Sequence, residues 1–262
     1  MAKLIIFADY GSDDACATAS VLNEHERFER IDIVAIGGNV PVDIAFQNCY
    51  TLLSEIPYAN GKITVVDTRH IEQPGEYLAD IHGKDGMGDI FERRNDTKGI
   101  TEVKYEDWIL GLKGDETILS LGPMTMVKPV LERYGAMPLI IMGGCVDTPP
   151  NFNGYEFNHA LDREAFSYCV RFPHAAITLD TCRLEVLDIF KYEIEGDDKY
   201  SQLLRASRRM SRALKESTCH VWDDVAACYL LHPERFITEE KIDKDGNVIS
   251  NAKYISSLPY CK

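Results

Sequence analysis

Phe7-Ala8-Asp9-Tyr10-Gly11-Ser12-Asp13-Asp14-Ala15 decides how the rest of the chain is read. Leu4-Ile5-Ile6-Phe7, just before the acids, is short, apolar and free of breakers, the pattern of a strand buried in a parallel sheet. Ala15 to Leu22 is Ala-rich and helix-compatible, so Asp9, Asp13 and Asp14 fall in a strand-to-helix turn. Open α/β sheets bind ligands at that edge. Clustered acids repel one another unless a cation neutralises them, and hard divalent cations take oxygen ligands of this kind. A plainer role fits the same residues, with Asp13 and Asp14 capping the helix and complementing its dipole.

Outward from this turn the chain alternates strand-like and helix-like runs. Strands are expected near Lys3–Ala8, Ile31–Ile36, Lys62–Val66, Thr117–Leu121, Pro138–Met142 and Ala175–Leu179. Helices are expected around Asp13–Leu22, Val42–Glu55, Glu102–Leu112, Thr125–Tyr134, Asp162–Arg171, Tyr200–Lys215 and Val225–Leu231. The alternation predicts an α/β fold, an open and mainly parallel sheet with helices on both faces. His70 to Gly99 is rich in Gly and Asp and weakly periodic, which reads as a long functional loop. Asp245-Gly246 between polar and β-branched flanks suggests a late hairpin. No repeat, low-complexity tract or linker is visible, so residues 1–262 read as a single domain.

Composition excludes several classes. A formal net charge of −14 argues against nucleic acid and anionic membranes as partners, because phosphate contacts need clustered Lys and Arg. No segment approaches the ~18 uninterrupted apolar residues of a membrane span. The eight cysteines form neither a CxxC pair nor a close Cys/His spacing, against a zinc site. Cys16, Cys49 and Cys169 lie in apolar runs, as reduced core thiols do. No signal peptide precedes Ala2-Lys3, and the cytoplasm is the expected compartment.

Small-residue turns recur where the strands end: Gly37-Gly38-Asn39, Gly122-Pro123-Met124-Thr125 and Gly143-Gly144. Each leaves room for a ligand to approach backbone. Glu156-Phe157-Asn158 adds a carboxylate and an amide, and His220-Val221-Trp222-Asp223-Asp224 adds an acid pair at a helix start.

Together these segments resemble the inosine–uridine-preferring nucleoside hydrolases, N-ribohydrolases of purine and pyrimidine nucleosides. Asp9-Tyr10-Gly11-Ser12-Asp13-Asp14 resembles the family's DxDxGxDD signature without its first acid. Gly38-Asn39-Val40 resembles its asparagine turn, and His82-Gly83-Lys84-Asp85-Gly86-Met87-Gly88 its HGxDGLG loop. Leu121-Gly122-Pro123-Met124-Thr125 is similar to LGPLT, and Met142-Gly143-Gly144 to MGG. Glu156-Phe157-Asn158 with Asp162 is similar to EFNxxxDPEA, and Asp223 falls on the last acid motif, ahead of Tyr229-Leu230-Leu231-His232-Pro233.

The resemblance implies a Rossmann-like nucleoside hydrolase architecture with one Ca²⁺ held by Asp9, Asp14, Asp223 and the main-chain carbonyl of Thr125. It implies attack on C1′ by a water activated by that ion, with Asp9 as the base. Asp13, Asn39, Glu156 and Asn158 correspond to residues that hold ribose hydroxyls. Trp222 stands where many members carry a histidine, and purine-specific members stack a tryptophan on the base in that region. A homo-oligomer, dimer or tetramer, is implied as well. The activity implied is calcium-dependent hydrolysis of ribonucleosides to base and ribose, leaning to purines. Another ribosyl substrate, or a catalytically weak ligand-binding paralogue, stays open, because Phe7 replaces the first acid and the histidine is missing. Tyr10 replaces the usual proline. His82, His159 and His220 are candidate acids near the pocket, none assigned; Trp108, Tyr192 and Tyr200 read as packing residues.

Overall fold

A computed structural model describes residues 2–56, 62–93 and 100–256. The strands are β1 (Ala2–Ala8), β2 (Phe28–Ala35), β3 (Ile63–Asp67), β4 (Thr101–Lys104), β5 (Thr117–Ser120), β6 (Leu139–Met142), β7 (Ala175–Ile177), β8 (Phe236–Ile242) and β9 (Val248–Tyr254). They form one sheet in the order β4-β3-β2-β1-β5-β6-β7-β9-β8, all parallel except the antiparallel β8–β9 pair. The order reverses at β1, which pairs with β2 on one side and β5 on the other. That is the topological switch point of an open sheet, where ligands bind.

The helices are α1 (Ser12–Asn23), α2 (Val42–Glu55), α3 (Ala79–His82), α4 (Tyr105–Gly111), α5 (Lys128–Tyr134), α6 (Phe157–Leu161), α7 (Arg163–Cys169), α8 (Leu179–Cys182), α9 (Lys199–Ala213) and α10 (Trp222–Leu231). Strand side chains alternate between two cores. Leu4, Ile6 and Ala8 share one core with residues of α1, α2, α9 and α10. Ile5 and Phe7 share the other with residues of α4, α5 and α7. The architecture is the α/β sheet expected, with helices on both faces. Among the described residues, no helix is long and apolar enough to cross a membrane.

Most elements match the sequence reading, and α2 matches to the residue. Four elements differ from that reading. Residues 101–104 are strand, paired with β3, where a helix was expected from Glu102; the sheet edge outweighs local propensity. Thr125 lies in a 3₁₀ turn, and α5 starts only at Lys128 with Pro129 in its first turn, where the missing N–H costs nothing. The last helix begins at Trp222, three residues early, which puts Asp223 and Asp224 in its first turn. The loop from His70 carries the one-turn α3, and its residues 94–99 lie outside the described residues. The hairpin turn at Asp245-Gly246 is present, with Gly246 at φ +84°.

Phe7 is fully buried and meets Trp108 edge-on, ring centroids 6.1 Å apart. The position of the missing acid is therefore an apolar one, in the core opposite α1. Trp108 also donates Nε1–H to Asp32 at 2.8 Å, and Arg30 reaches the same oxygen at 2.9 Å. Asp32 is 1% exposed. Replacing Trp108→Phe keeps the ring contact and removes one donor from a buried carboxylate. We expect a loss of about 1–3 kcal/mol in urea unfolding; an unchanged midpoint would mean that Arg30 alone satisfies Asp32.

Candidate active site

The C-terminal ends of β1, β2, β5 and β6 border a cavity of ≈ 530 Å³, a size usual for small-molecule sites. Asp9 follows β1 and has no exposed surface. Both its oxygens accept from Asn39: Oδ2 from the main-chain N–H at 2.8 Å and Oδ1 from Nδ2 at 3.0 Å. Only glycine fits beside it at position 38, because a Cβ there would stand 1.8 Å from Asp9 Oδ2.

Asp14 closes the turn on itself. Its oxygens accept the main-chain N–H groups of Asp9 at 3.0 Å and Gly11 at 2.9 Å, and Asn39 Nδ2 at 3.2 Å. The capping role read from the sequence is thus filled by Asp14, yet the acid still sits beside Asp13 and Asp223. One oxygen from each of Asp13, Asp14 and Asp223 lies within 4.8 Å of the others. Asp13 Oδ1 and Asp223 Oδ1 are buried without a hydrogen-bond partner among the described residues. Unpaired carboxylate oxygens at this spacing are what a hard cation binds, so the donor set fits such an ion.

The electrostatics agree. Burial, reinforced by neighbouring carboxylates, raises the Asp9 and Asp223 carboxyls well above the usual range. Asp14 is pushed up to about 7, by burial first and then by Asp13. Glu156 is pushed up to about 7 by burial, although three main-chain N–H groups oppose the rise. Those donors are Asn158 at 2.9 Å, His159 at 3.0 Å and Gly144 at 2.9 Å. Glu156 therefore caps α6 while lining the cavity. Asn158 gives Nδ2 to the carbonyls of Leu121 at 2.7 Å and Met142 at 3.2 Å, which leaves Oδ1 as its acceptor.

Asp13, Asn39, Glu156, Asn158, Trp222 and Asp223 all border the cavity. Asp9 and Asp14 lie fully buried beside them, bound through Asn39. Thr125 is placed differently: its hydroxyl donates to Asp162 at 2.6 Å, and it does not border the cavity. The carbonyl of that turn that reaches a cavity residue is Leu121's, through Asn158. Trp222 Nε1 is buried without a partner among the described residues.

Of the histidines, His82 and His220 border the cavity, whereas His159 stacks on Phe166 at 3.9 Å. His82 Nδ1 lies 3.1 Å from both Ser12 N and Ser12 Oγ. Accepting the main-chain N–H requires a bare Nδ1, so the neutral ring carries its proton on Nε2. Burial lowers the His82 pKa, which favours that neutral form. Sequence reasoning passed over Ser12 and Arg183, also in the wall. A serine in a first helical turn and one arginine at the end of a four-residue helix carry no signal of their own. Tyr200 does more than pack, donating to Asp224 at 2.6 Å.

Residues 4–253 match the inosine-uridine preferring nucleoside hydrolase family, and the chain belongs to it. The members of that family are N-ribohydrolases, and hydrolysis of a ribonucleoside is the activity that goes with membership. A purine-preferring ribonucleoside hydrolase from Gardnerella vaginalis superimposes with a TM-score of 0.75 at 20% identity, covering 97% of this chain and 93% of that one. An inosine-guanosine nucleoside hydrolase gives 0.71 at 21% identity, covering 97% and 87%. A plant nucleoside hydrolase gives 0.70 at 21%, covering 98% and 87%. At these identities the likenesses concern the fold. No curated protein matches the chain in sequence.

The raised acids set a pH dependence. Asp14 and Glu156 keep their protons in the folded chain up to about 7, whereas unfolded carboxyls lose them near 4. The folded state therefore binds more protons across that window, and cation-free stability falls as pH rises through it. Melting temperature after chelation is expected to drop between about pH 5 and pH 8, with added Ca²⁺ removing most of the drop. A melting temperature flat in pH and indifferent to calcium would contradict the site.

Proposed function

We propose that this chain is a calcium-dependent N-ribohydrolase that splits ribonucleosides into free base and ribose, with a preference for purines. One observation carries the reading: the carboxylates of Asp13, Asp14 and Asp223 converge at the sheet's switch point, two of them with an unpaired oxygen, at a cavity walled by Asn39, Glu156 and Asn158.

Asp9, Asp14 and Asp223 would hold the ion, with Asp13 beside them. The main-chain carbonyl of Thr125 would complete the set, since the Leu121 carbonyl is already taken by Asn158 Nδ2 and the bond from Thr125 to Asp162 uses only its hydroxyl. Calcium suits a set made only of oxygens, and when bound it lowers the pKa of a coordinated water.

The remaining work falls to the protein. Asp13, Asn39, Glu156 and Asn158 grip ribose hydroxyls, which fixes C1′ over the acid cluster. Asp9 takes a proton from the attacking water as its oxygen bonds to C1′. The C1′–N bond breaks, and its electron pair leaves with the base, which solvent protonates. Positive charge gathers on the ribosyl ring in between, and the surrounding carboxylates stabilise it. Trp222, in the wall next to Asp223, stacks on a purine and makes that ring easier to protonate.

The direct test is ribose release from a panel of purine and pyrimidine ribonucleosides, with calcium and with chelator. Calcium-dependent release, faster for purines, is the expected result; no release from any member would refute the reading. Asp9→Asn should abolish turnover, and a near-normal rate would remove Asp9 as the base. Trp222→Ala should slow purine ribosides about 10–100-fold while sparing nitrophenyl riboside, whose leaving group needs no protonation. Equal losses on both would reassign Trp222 to packing.

A further inference from the structure

Asn48 lies on α2 with no exposed surface and does not border the cavity. Its Nδ2 faces two main-chain carbonyls, Asp85 O at 2.6 Å and Tyr10 O at 3.4 Å. Asp85 belongs to the glycine-rich loop directly after His82, and Tyr10 to the turn between Asp9 and Asp14. One amide thus spans two segments that both reach the site.

The contact is tight on both sides. A Cβ at Gly86 would stand 2.9 Å from Asn48 Nδ2 and 3.0 Å from Tyr10 O, and Gly86 has φ +86°. Tyr10 adopts φ +48°, which side chains other than glycine rarely do, with its ring fully buried. The amide's orientation follows from chemistry: exchanging its oxygen and nitrogen would set three acceptors against one another. Asn48 Oδ1 has no partner among the described residues, so the residue is committed through its donors.

What the clamp holds is His82. The ring's Nδ1 meets Ser12 N at 3.1 Å only while the loop sits against the acid turn. Gly88 N donates to His82 O at 2.7 Å, closing the loop on itself, so the 82–88 segment docks as a unit.

We propose that Asn48 is a positioning residue that fastens the 82–88 loop to the Asp9–Asp14 turn and thereby sets His82 in the cavity wall. Two facing carbonyls need two donors, which an Asn amide supplies, an Asp carboxylate does not, and a Ser hydroxyl supplies singly. The kinetic part of the test rests on the N-ribohydrolase reading; the exchange part does not.

The experiment compares wild type, Asn48→Asp and Asn48→Ala by amide hydrogen exchange and by riboside hydrolysis with calcium. Amides of 82–88 should exchange at least about tenfold faster in both variants, with β1 and β5 amides unchanged. Whatever fold-loss in kcat/KM His82→Ala alone causes, Asn48→Ala should cause no more, and the double variant should cost little beyond His82→Ala, since both lose the same placement. Unchanged exchange in 82–88, or fully additive losses, would overturn the proposal. Faster exchange throughout β1 and β5 would overturn it too, by making Asn48 a residue of general stability. Should Asn48→Asp fail to fold, Asn48→Ala carries the same comparison. If wild type releases no ribose, the functional reading fails while exchange still decides the role of Asn48.

Discussion

Burying several like charges at one point is the constraint on which the site depends. Asp9, Asp14 and Asp223 have almost no water around them, and each carboxyl is raised by burial and by neighbouring acids. Such a cluster persists in two ways, as protonated acids or as ligands of a cation. Packing around it is too close to relax it otherwise, as the overlap between Asp9 and any Cβ at Gly38 shows. The hydrogen bonds from Asn39 and from the main chain offset part of the cost and leave selected oxygens of Asp13 and Asp223 open. A fold that supplies the donors and withholds the last partners prepares a cation site.

The departures from the family pattern are absorbed by packing. Phe7 lies in the α4–α5–α7 core against Trp108, where a carboxylate would need partners the core does not have. Tyr10 takes a left-handed backbone that proline could not adopt and fills the other core with its ring. Neither change reaches the oxygens facing the cavity. The loop beyond β3 is drawn over the same turn, since Glu76 and Leu78 donate main-chain N–H to Gly38 and Asn39 at 2.7 and 3.1 Å. Loop, asparagine turn and acid turn form one hydrogen-bonded rim.

Much of this was legible in residue order. The apolar run into Phe7, the three acids after it and the glycine turns at strand ends locate a binding edge, because strand period and turn chemistry are local properties. The β4 strand was not legible: Thr101-Glu102-Val103-Lys104 is strand only because β3 offers it an edge. The short α3, α6 and α8 are too brief to show a period, and of the three only α6 has a side-chain cap, Glu156. That Thr125 falls in a 3₁₀ turn, with its hydroxyl on Asp162, is likewise beyond what spacing encodes.

The sequence by itself determined the class of fold, the edge of the sheet that carries the chemistry and several of the polar residues that line it. Each of these follows from patterns a few residues long. Tertiary structure decided that Asp13 joins Asp14 and Asp223, which lies more than two hundred residues away, and that Asn39 grips Asp9 rather than open solvent. It also decided that Asn48 bridges two loops and that Asn158 donates to the Leu121 carbonyl. These are contacts between distant segments, and their distances come from how helices pack on a twisted sheet, which no local pattern carries.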